Sequence, residues 1–260
     1  MKKFVVFALA ALVLGLAASP ASAKDWKKIR IAVEGAYPPF SSVTADGELV
    51  GFDVDIARAL CAEMGAECTL LQQDWDGIIP ALLARKYDAI VASMSITPER
   101  KKKVAFTAKY YQVPARFARK KGSGIEINKA SLQGKAVGVQ RATTHDNFIT
   151  GEFGSGVDIK RYASQDEAYL DAAAGRLDLL LADSVALQDG FLNTDKGKDW
   201  EFVGPGYTDV NYFGEGAGIA ISKKNQDLVD KFNKALGVIR ANGTYQKINT
   251  KYFDFDVFGD

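Results

Sequence analysis

The segment Ser95-Ile96-Thr97-Pro98-Glu99-Arg100 sets a guanidinium in the first turn of a helix. Thr is a good N-cap, Pro suits the first turn, and an acid follows. Free N–H groups at such a helix start, with a guanidinium able to bind two oxygens at once, make a carboxylate site. A solvated surface arginine is the plain alternative. Asp183 closes the apolar run Leu179-Leu180-Leu181-Ala182. It can receive an ammonium, or cap the helix that opens at Ser184. Glu34 and Asp53 are two further carboxylates, suited to a more distant cation. Tyr37 and Trp75 offer flat faces to an aliphatic or guanidinium side chain, or else pack in the core. Together these residues complement a zwitterion that carries a positive side chain.

Catalytic motifs are scarce. No Walker A loop, His-Glu-x-x-His or Gly-x-Ser-x-Gly occurs. Gly214-Glu215-Gly216-Ala217-Gly218 leads into a strand-like Ile219-Ala220-Ile221 rather than a helix, so loop flexibility is its reading and not phosphate binding. His145 is the single histidine. A solvated loop is its default setting, although it falls near the proposed cleft. One His and two Cys build no zinc ribbon or finger. No metal and no cofactor is expected.

The elements that must position these groups alternate between extended apolar runs and amphipathic helical patterns. Strands are expected at 29–33, 69–72 and 88–92, and helices at 53–64 and 75–84, with another opening at Thr97. The tail reads as helices over 227–240 and 244–252. This alternation predicts an α/β architecture with parallel strands. A helix end, a basic residue, an Asp, apolar residues and a polar one recur around Asp88 and Asp178. Two βαβ-like units, and so two lobes, explain the echo; coincidence between ordinary helix–strand junctions is the alternative. In open α/β sheets ligands sit beyond the carboxyl ends of strands. Those positions are Glu34 to Tyr37 and Ser93 to Ser95 in one lobe, and Gln140 to His145 with Asp183 in the other.

The amino terminus reads as an export signal. Lys2 and Lys3 precede an apolar run from Phe4 to Ala18, followed by Pro20 and Ala21-Ser22-Ala23. The run is shorter than a membrane span, and the small-x-small end predicts cleavage after Ala23. Without Lys2 and Lys3 the 33 basic residues fall to 31 against 32 acidic, so the net charge moves from +1 to −1. Such a balance gives no footprint for nucleic acid. No second apolar segment is long enough for stable membrane insertion. Export also bears on Cys61 and Cys68. Cys61 lies near a helix end with Gly65 after it, and Cys68 starts the next extended run. An oxidising compartment favours a disulfide between them; two free thiols packed as small hydrophobes are the alternative.

Several motifs carry a resemblance over essentially the whole chain after residue 23. They are Tyr37-Pro38-Pro39-Phe40, Gly51-Phe52-Asp53-Val54-Asp55, Asp74-Trp75-Asp76-Gly77, Ser93-Met94-Ser95-Ile96-Thr97-Pro98-Glu99-Arg100, Gly134-Lys135-Ala136-Val137-Gly138-Val139 and Lys251-Tyr252-Phe253-Asp254-Phe255, with the pair Cys61/Cys68. The chain resembles the periplasmic family 3 solute-binding proteins of ABC importers, in particular the lysine/arginine/ornithine- and histidine-binding group. The resemblance implies a two-lobed type II periplasmic-binding-protein fold, each lobe an α/β sheet flanked by helices, with the ligand in the cleft. It places the signal peptide at 1–23, the first lobe at 24–112 and 212–260, and the second at 113–211.

The roles it implies follow position by position. Arg100 holds the ligand α-carboxylate with Ser95 and backbone N–H near Thr144. Asp183 holds the α-amino group with Ser95 and the Ser93 carbonyl. Tyr37 and Trp75 sandwich the side chain, and Glu34 meets the distal cation with Asp53. The implied partners are a cationic amino acid and, transiently, an inner-membrane ABC permease, with the protein monomeric in the periplasm. Four places depart from the pattern: Glu34 for a shorter Asp, Ala92 for a Ser, Trp75 for a Phe or Leu, and the segment from Gln140 to His145. The Trp face suits a guanidinium, which favours arginine over lysine, ornithine or histidine. Exported cyclohexadienyl (arogenate/prephenate) dehydratases resemble the same fold and are the enzyme alternative, with Glu34 the one candidate general acid.

Overall fold

The structure, a computed structural model, describes residues 25–259. The expected signal peptide, 1–23, lies outside the described residues. The chain begins with strand β1 (Lys28–Val33), whose alternate residues divide between two cores: Ile29, Ile31 and Val33 face one, and Ala32 the other. A small antiparallel sheet follows, of β2 (Ala36–Tyr37), β3 (Ser41–Val43) and β4 (Leu49–Val50). Helix α1 (Phe52–Glu63) then leads to β5 (Glu67–Gln72). The expected helix at 75–84 is a 3₁₀ turn (Trp75–Gly77) running into α2 (Ile78–Leu83). Next come β6 (Ala89–Ile90), α3 (Pro98–Lys103) and β7 (Ala105–Tyr111).

The chain next forms a second sheet. Its elements are β8 (Ala115–Lys120), β9 (Ala136–Gln140), α4 (Thr144–Glu152), β10 (Asp158–Tyr162), α5 (Gln165–Ala173), β11 (Leu179–Asp183), α6 (Ser184–Leu187) and β12 (Trp200–Tyr207). After α7 (Val210–Phe213), strand β13 (Ala217–Ile221) rejoins the first sheet, and α8 (Gln226–Ala241) and α9 (Thr244–Tyr252) follow. The strand orders are β5-β1-β6-β13-β7 and β10-β9-β11-β8-β12.

These two orders are the same pattern. Three parallel strands lie at one side of each sheet, and an antiparallel strand, β13 or β8, follows. An all-parallel expectation therefore fails at those strands. Each is the first to form after the chain has crossed between sheets, so it enters from the opposite end. The echo around Asp88 and Asp178 is structural. The Asp88 carboxylate and backbone N–H pair with the N–H and C=O of Arg30 at the edge of β1. Asp178 does the same with Ala136 at the edge of β9. The same side chain pins the same strand crossing in both halves.

Burial follows the residue types. The run Leu179-Leu180-Leu181-Ala182 is covered on both faces, as a central strand should be, and its residues divide alternately between two cores. A glycine is demanded at the entrance to α1. Gly51 has φ +127, and a Cβ there would lie 2.3 Å from the Phe40 carbonyl oxygen. That contact brings Phe40 against Phe52, 6.2 Å between ring centroids and edge to face.

Cys61 and Cys68 form a disulfide that joins the last turn of α1 to β5, with Cα atoms 6.1 Å apart. Gly65 turns the chain at φ +62, and the Ala66 N–H returns to the Cys61 carbonyl. Loop-entropy restriction over so short a span contributes about 2.5 kcal/mol. Replacing both cysteines with Ser should lower the unfolding free energy by about that amount. Urea unfolding at constant m-value is the check. A change below about 0.5 kcal/mol would show that the turn is already ordered in the unfolded chain.

Candidate functional site

A cavity lies between the carboxyl ends of the parallel strands of both sheets. Glu34 follows β1, Ser93 and Ser95 follow β6, Gln140 ends β9, and Asp183 ends β11. Hydrogen bonds cross from one sheet to the other around it. Tyr37 Oη donates to Asp183 Oδ2 at 3.0 Å. Trp75 Nε1 donates to the Ala142 carbonyl at 3.3 Å. At the exposed rim, Arg141 Nε donates to Asp76 Oδ2 at 2.6 Å.

One part of the cavity wall is built on Arg100. Thr97 caps α3 by accepting from the Arg100 N–H. The Arg100 guanidinium donates to the Ser95 carbonyl at 3.0 Å and lies 5.1 Å from the centre of the Trp75 ring. Burial pulls its pKa down to about 10, so it stays cationic at neutral pH. It has no carboxylate within ion-pair distance among the described residues. The start of α4 adds to the same wall. Thr143 caps that helix through the Asp146 N–H, and Thr144 and His145 line the cavity. The macrodipole of α4 reinforces the positive potential there.

The segment carrying Ser95 is held by the glycine loop before β13. Ile96 exchanges backbone hydrogen bonds with Gly216 and Glu215, and Ser95 bridges to Ala217. A Cβ on Gly214 would lie 2.3 Å from the Ile96 carbonyl oxygen. Close approach of backbone to backbone is thus the reason for those glycines, rather than loop flexibility.

Asp183 is not a helix cap. It occupies the N-cap position of α6, but its side chain makes no capping bond. It turns instead toward Tyr37 and toward His145, whose Nε2 lies 3.2 Å from Asp183 Oδ1 without the alignment of a hydrogen bond. His145 is only 6% exposed. The expectation of a solvated loop histidine is therefore corrected: α4 begins one residue earlier and turns His145 inward.

Glu34 sits at the distal end, 5% exposed. Gln140 Nε2 donates to its Oε1 at 2.5 Å. Burial raises the Glu34 pKa to about 7, against the lowering effect of that hydrogen bond. Asp53 is the departure. It is fully buried and does not line the cavity. Its two oxygens accept from Ser93 Oγ at 2.9 Å and Tyr110 Oη at 2.8 Å. It touches the site only through Ser93, a residue held at φ +50. Burial also pushes its pKa to about 7. Asp53 lies at the start of α1, which packs against β1 and β5, and its side chain stands behind Ser93.

All the other site residues named from the sequence line the cavity: Glu34, Tyr37, Trp75, Ser93, Ser95, Arg100, Thr144 and Asp183. Trp75 has one ring face over Arg100, so its stacking is shared with the protein. Gln140, Thr143 and His145 also line the cavity. The sequence placed the stretch Gln140 to His145 at the cleft and gave these three side chains no ligand role, because their directions into the wall are not a local signal.

The model for bacterial extracellular solute-binding proteins, family 3, matches residues 29–255. The L-arginine-binding protein of Pseudomonas aeruginosa is 53% identical over 260 residues, covering 100% of this chain and 99% of the relative. The lysine/arginine/ornithine-binding periplasmic protein of Escherichia coli is 45% identical over 262 residues, covering all of both. A solved Salmonella typhimurium periplasmic binding protein described as having high arginine specificity superposes with a TM-score of 0.80. It is 32% identical, over 87% of this chain and 99% of that one. With the strand orders, the strand-end cavity and these matches in agreement, the chain belongs to the bacterial extracellular solute-binding proteins, family 3.

Proposed function

We propose that this chain captures a cationic L-amino acid, arginine before lysine, ornithine or histidine, in the periplasm and hands it to an ABC permease of the inner membrane. One observation carries this reading: two carboxylates, Glu34 and Asp183, and one guanidinium, Arg100, stand in the wall of a single cavity. Two acids and one base match a zwitterion that bears one additional positive charge. Arg100, Ser95 and the start of α4 at Thr144 take the α-carboxylate. Asp183, with Ser95 and the Ser93 carbonyl, takes the α-ammonium. Tyr37 and Trp75 flank the aliphatic stem, and Glu34 takes the distal cation. Asp53 acts one step behind, by holding Ser93. The names of the relatives at 53% and 45% identity support the ligand class.

The same reading fixes the rest. Cleavage after Ala23 releases the chain into the periplasm. Residues 24–112 with 212–260 form one lobe and 113–211 the other, and ligand binding favours their closure by hinge motion. No described helix is long and apolar enough to cross a membrane; contact with the permease is read as transient docking. The site binds without catalysis. Glu34, the general-acid candidate of the enzyme alternative, is assigned instead to the ligand cation, and incubation with prephenate or arogenate should give no aromatic product.

Removing a partner from a buried charge pair costs about 3–5 kcal/mol, roughly a hundredfold or more in affinity. Arg100→Ala and Asp183→Ala should each lose arginine binding by at least that factor in titration calorimetry. Retention of wild-type affinity by either variant would overturn the role given to that residue.

Glu34 also makes binding depend on pH. Its folded pKa stands near 7 against an ordinary 4.5. The stability of the ligand-free fold that comes from protonated Glu34 is therefore full below 4.5 and lost as pH rises through about 7. A cation holds Glu34 ionised, so arginine binding at pH 6 should release protons. Affinity should rise from pH 6 to 8 and then level. Calorimetry in two buffers of different ionisation enthalpy reads the release. Glu34→Gln should reduce it, leaving only what Asp53 contributes.

A further inference from the structure

Gln140 is 3% exposed, ends β9, and reaches across to Glu34 from the opposite sheet. Its Nε2 donates twice, to Glu34 Oε1 at 2.5 Å and to the Ala163 carbonyl at 3.1 Å. The Ala163 carbonyl is a pure acceptor, and so is Glu34 once ionised, so with the ionised carboxylate the amide has one orientation; turned over, it would set oxygen against two oxygens. Its two hydrogens are thereby spent. Its Oε1 has no donor among the described residues, and Gln140 stands in the cavity wall. The distal end thus holds two acceptor groups from different residues and different sheets: the Glu34 carboxylate and the Gln140 carbonyl oxygen. The carbonyl oxygen shares a carbon with the nitrogen that donates to Glu34, so the two acceptors are neighbours.

We propose that Gln140 selects a guanidinium over a primary ammonium at the distal end, a deepening that rests on the cationic amino-acid reading above. A guanidinium is planar and offers five N–H donors in a rigid fork, which spans neighbouring acceptors. An ammonium on a flexible stem is a compact point charge that Glu34 alone satisfies. The Ala163 contact prevents Gln140 from turning its nitrogen toward the ligand. Discrimination also requires both sheets, because Glu34 comes from one and Gln140 from the other. A cation bound in an open cleft would meet the carboxylate only.

The test is calorimetry of the full mature chain with L-arginine, L-lysine and L-ornithine, on wild type and Gln140→Leu, with Gln140→Met carrying the same comparison should the Leu variant fold poorly. Wild type should favour arginine over lysine by about tenfold or more. The variant should lose arginine affinity by about tenfold while lysine and ornithine change by less than about threefold. A loss shared equally by all three would mean that Gln140 only steadies Glu34, and would overturn the selection. An unchanged arginine-to-lysine ratio, or a wild type that prefers lysine, would overturn it too while leaving the cationic reading intact. Wild type that takes none of the three would overturn both.

Discussion

The Arg100 guanidinium stands in a buried wall without a carboxylate at ion-pair distance among the described residues. Its immediate contacts, the Ser95 carbonyl and the Trp75 face, are weak substitutes for water. The start of α4 raises the positive potential there instead of relieving it. A charge stripped of water and left unpaired is costly. Much of the local structure serves to hold this charge in place: Thr97 fixes the start of α3, and the glycine loop before β13 clamps Ile96 on either side. On the proposed assignment, the counter-ion is left for the ligand to supply.

A single sheet could not complete such a site. Its strand ends present acceptors and donors along one edge, open to water on the other side. Two sheets of the same strand pattern, with strand ends of both at one cavity, give it walls on both sides. The hydrogen bonds that already cross the cleft are Tyr37 to Asp183, Trp75 to Ala142 and Gln140 to Glu34, with Arg141 to Asp76 at the exposed rim. The neutral bond from Trp75 contributes about 1 kcal/mol, those to ionised carboxylates about 1.5–3 kcal/mol, and the exposed ion pair little. On the proposed reading, such bonds bias closure without locking it, and the larger electrostatic gain comes when a ligand neutralises the charges between the sheets.

The elements were largely legible because their signals are local. The helix at 244–252 needed only the residue pattern of its own segment, and Thr97 announced α3 by its cap. The twin units showed through Asp88 and Asp178, because the same backbone pairing demands the same side chain twice. What escaped depends on distant partners. The antiparallel placement of β8 and β13 follows from where the chain crosses between sheets, which periodicity does not report. Burial of His145 and of Gln140 depends on a wall supplied by residues more than a hundred positions away in the case of Glu34. Asp53 illustrates the converse: its type and neighbours suit a ligand carboxylate, but the helix it starts lies behind the strand ends, and no local pattern reports that depth.

Placing Asp53 behind the wall changes the charge balance of the site and makes it coherent. With three carboxylates facing the ligand, a monovalent side chain would leave one anion buried without a partner. With Asp53 spent on Ser93 and Tyr110, and raised by burial to about 7, the cavity itself presents two acids and one base. A ligand of charge +1 then brings the sum to zero with one partner for each group. A neutral amino acid would leave Glu34 to be protonated or unpaired, and an acidic one would add to the imbalance. On the proposed assignment, discrimination between charge classes resides in the count of buried carboxylates, and discrimination within the cationic class is assigned to the neutral neighbour of Glu34, through hydrogen-bond geometry rather than charge.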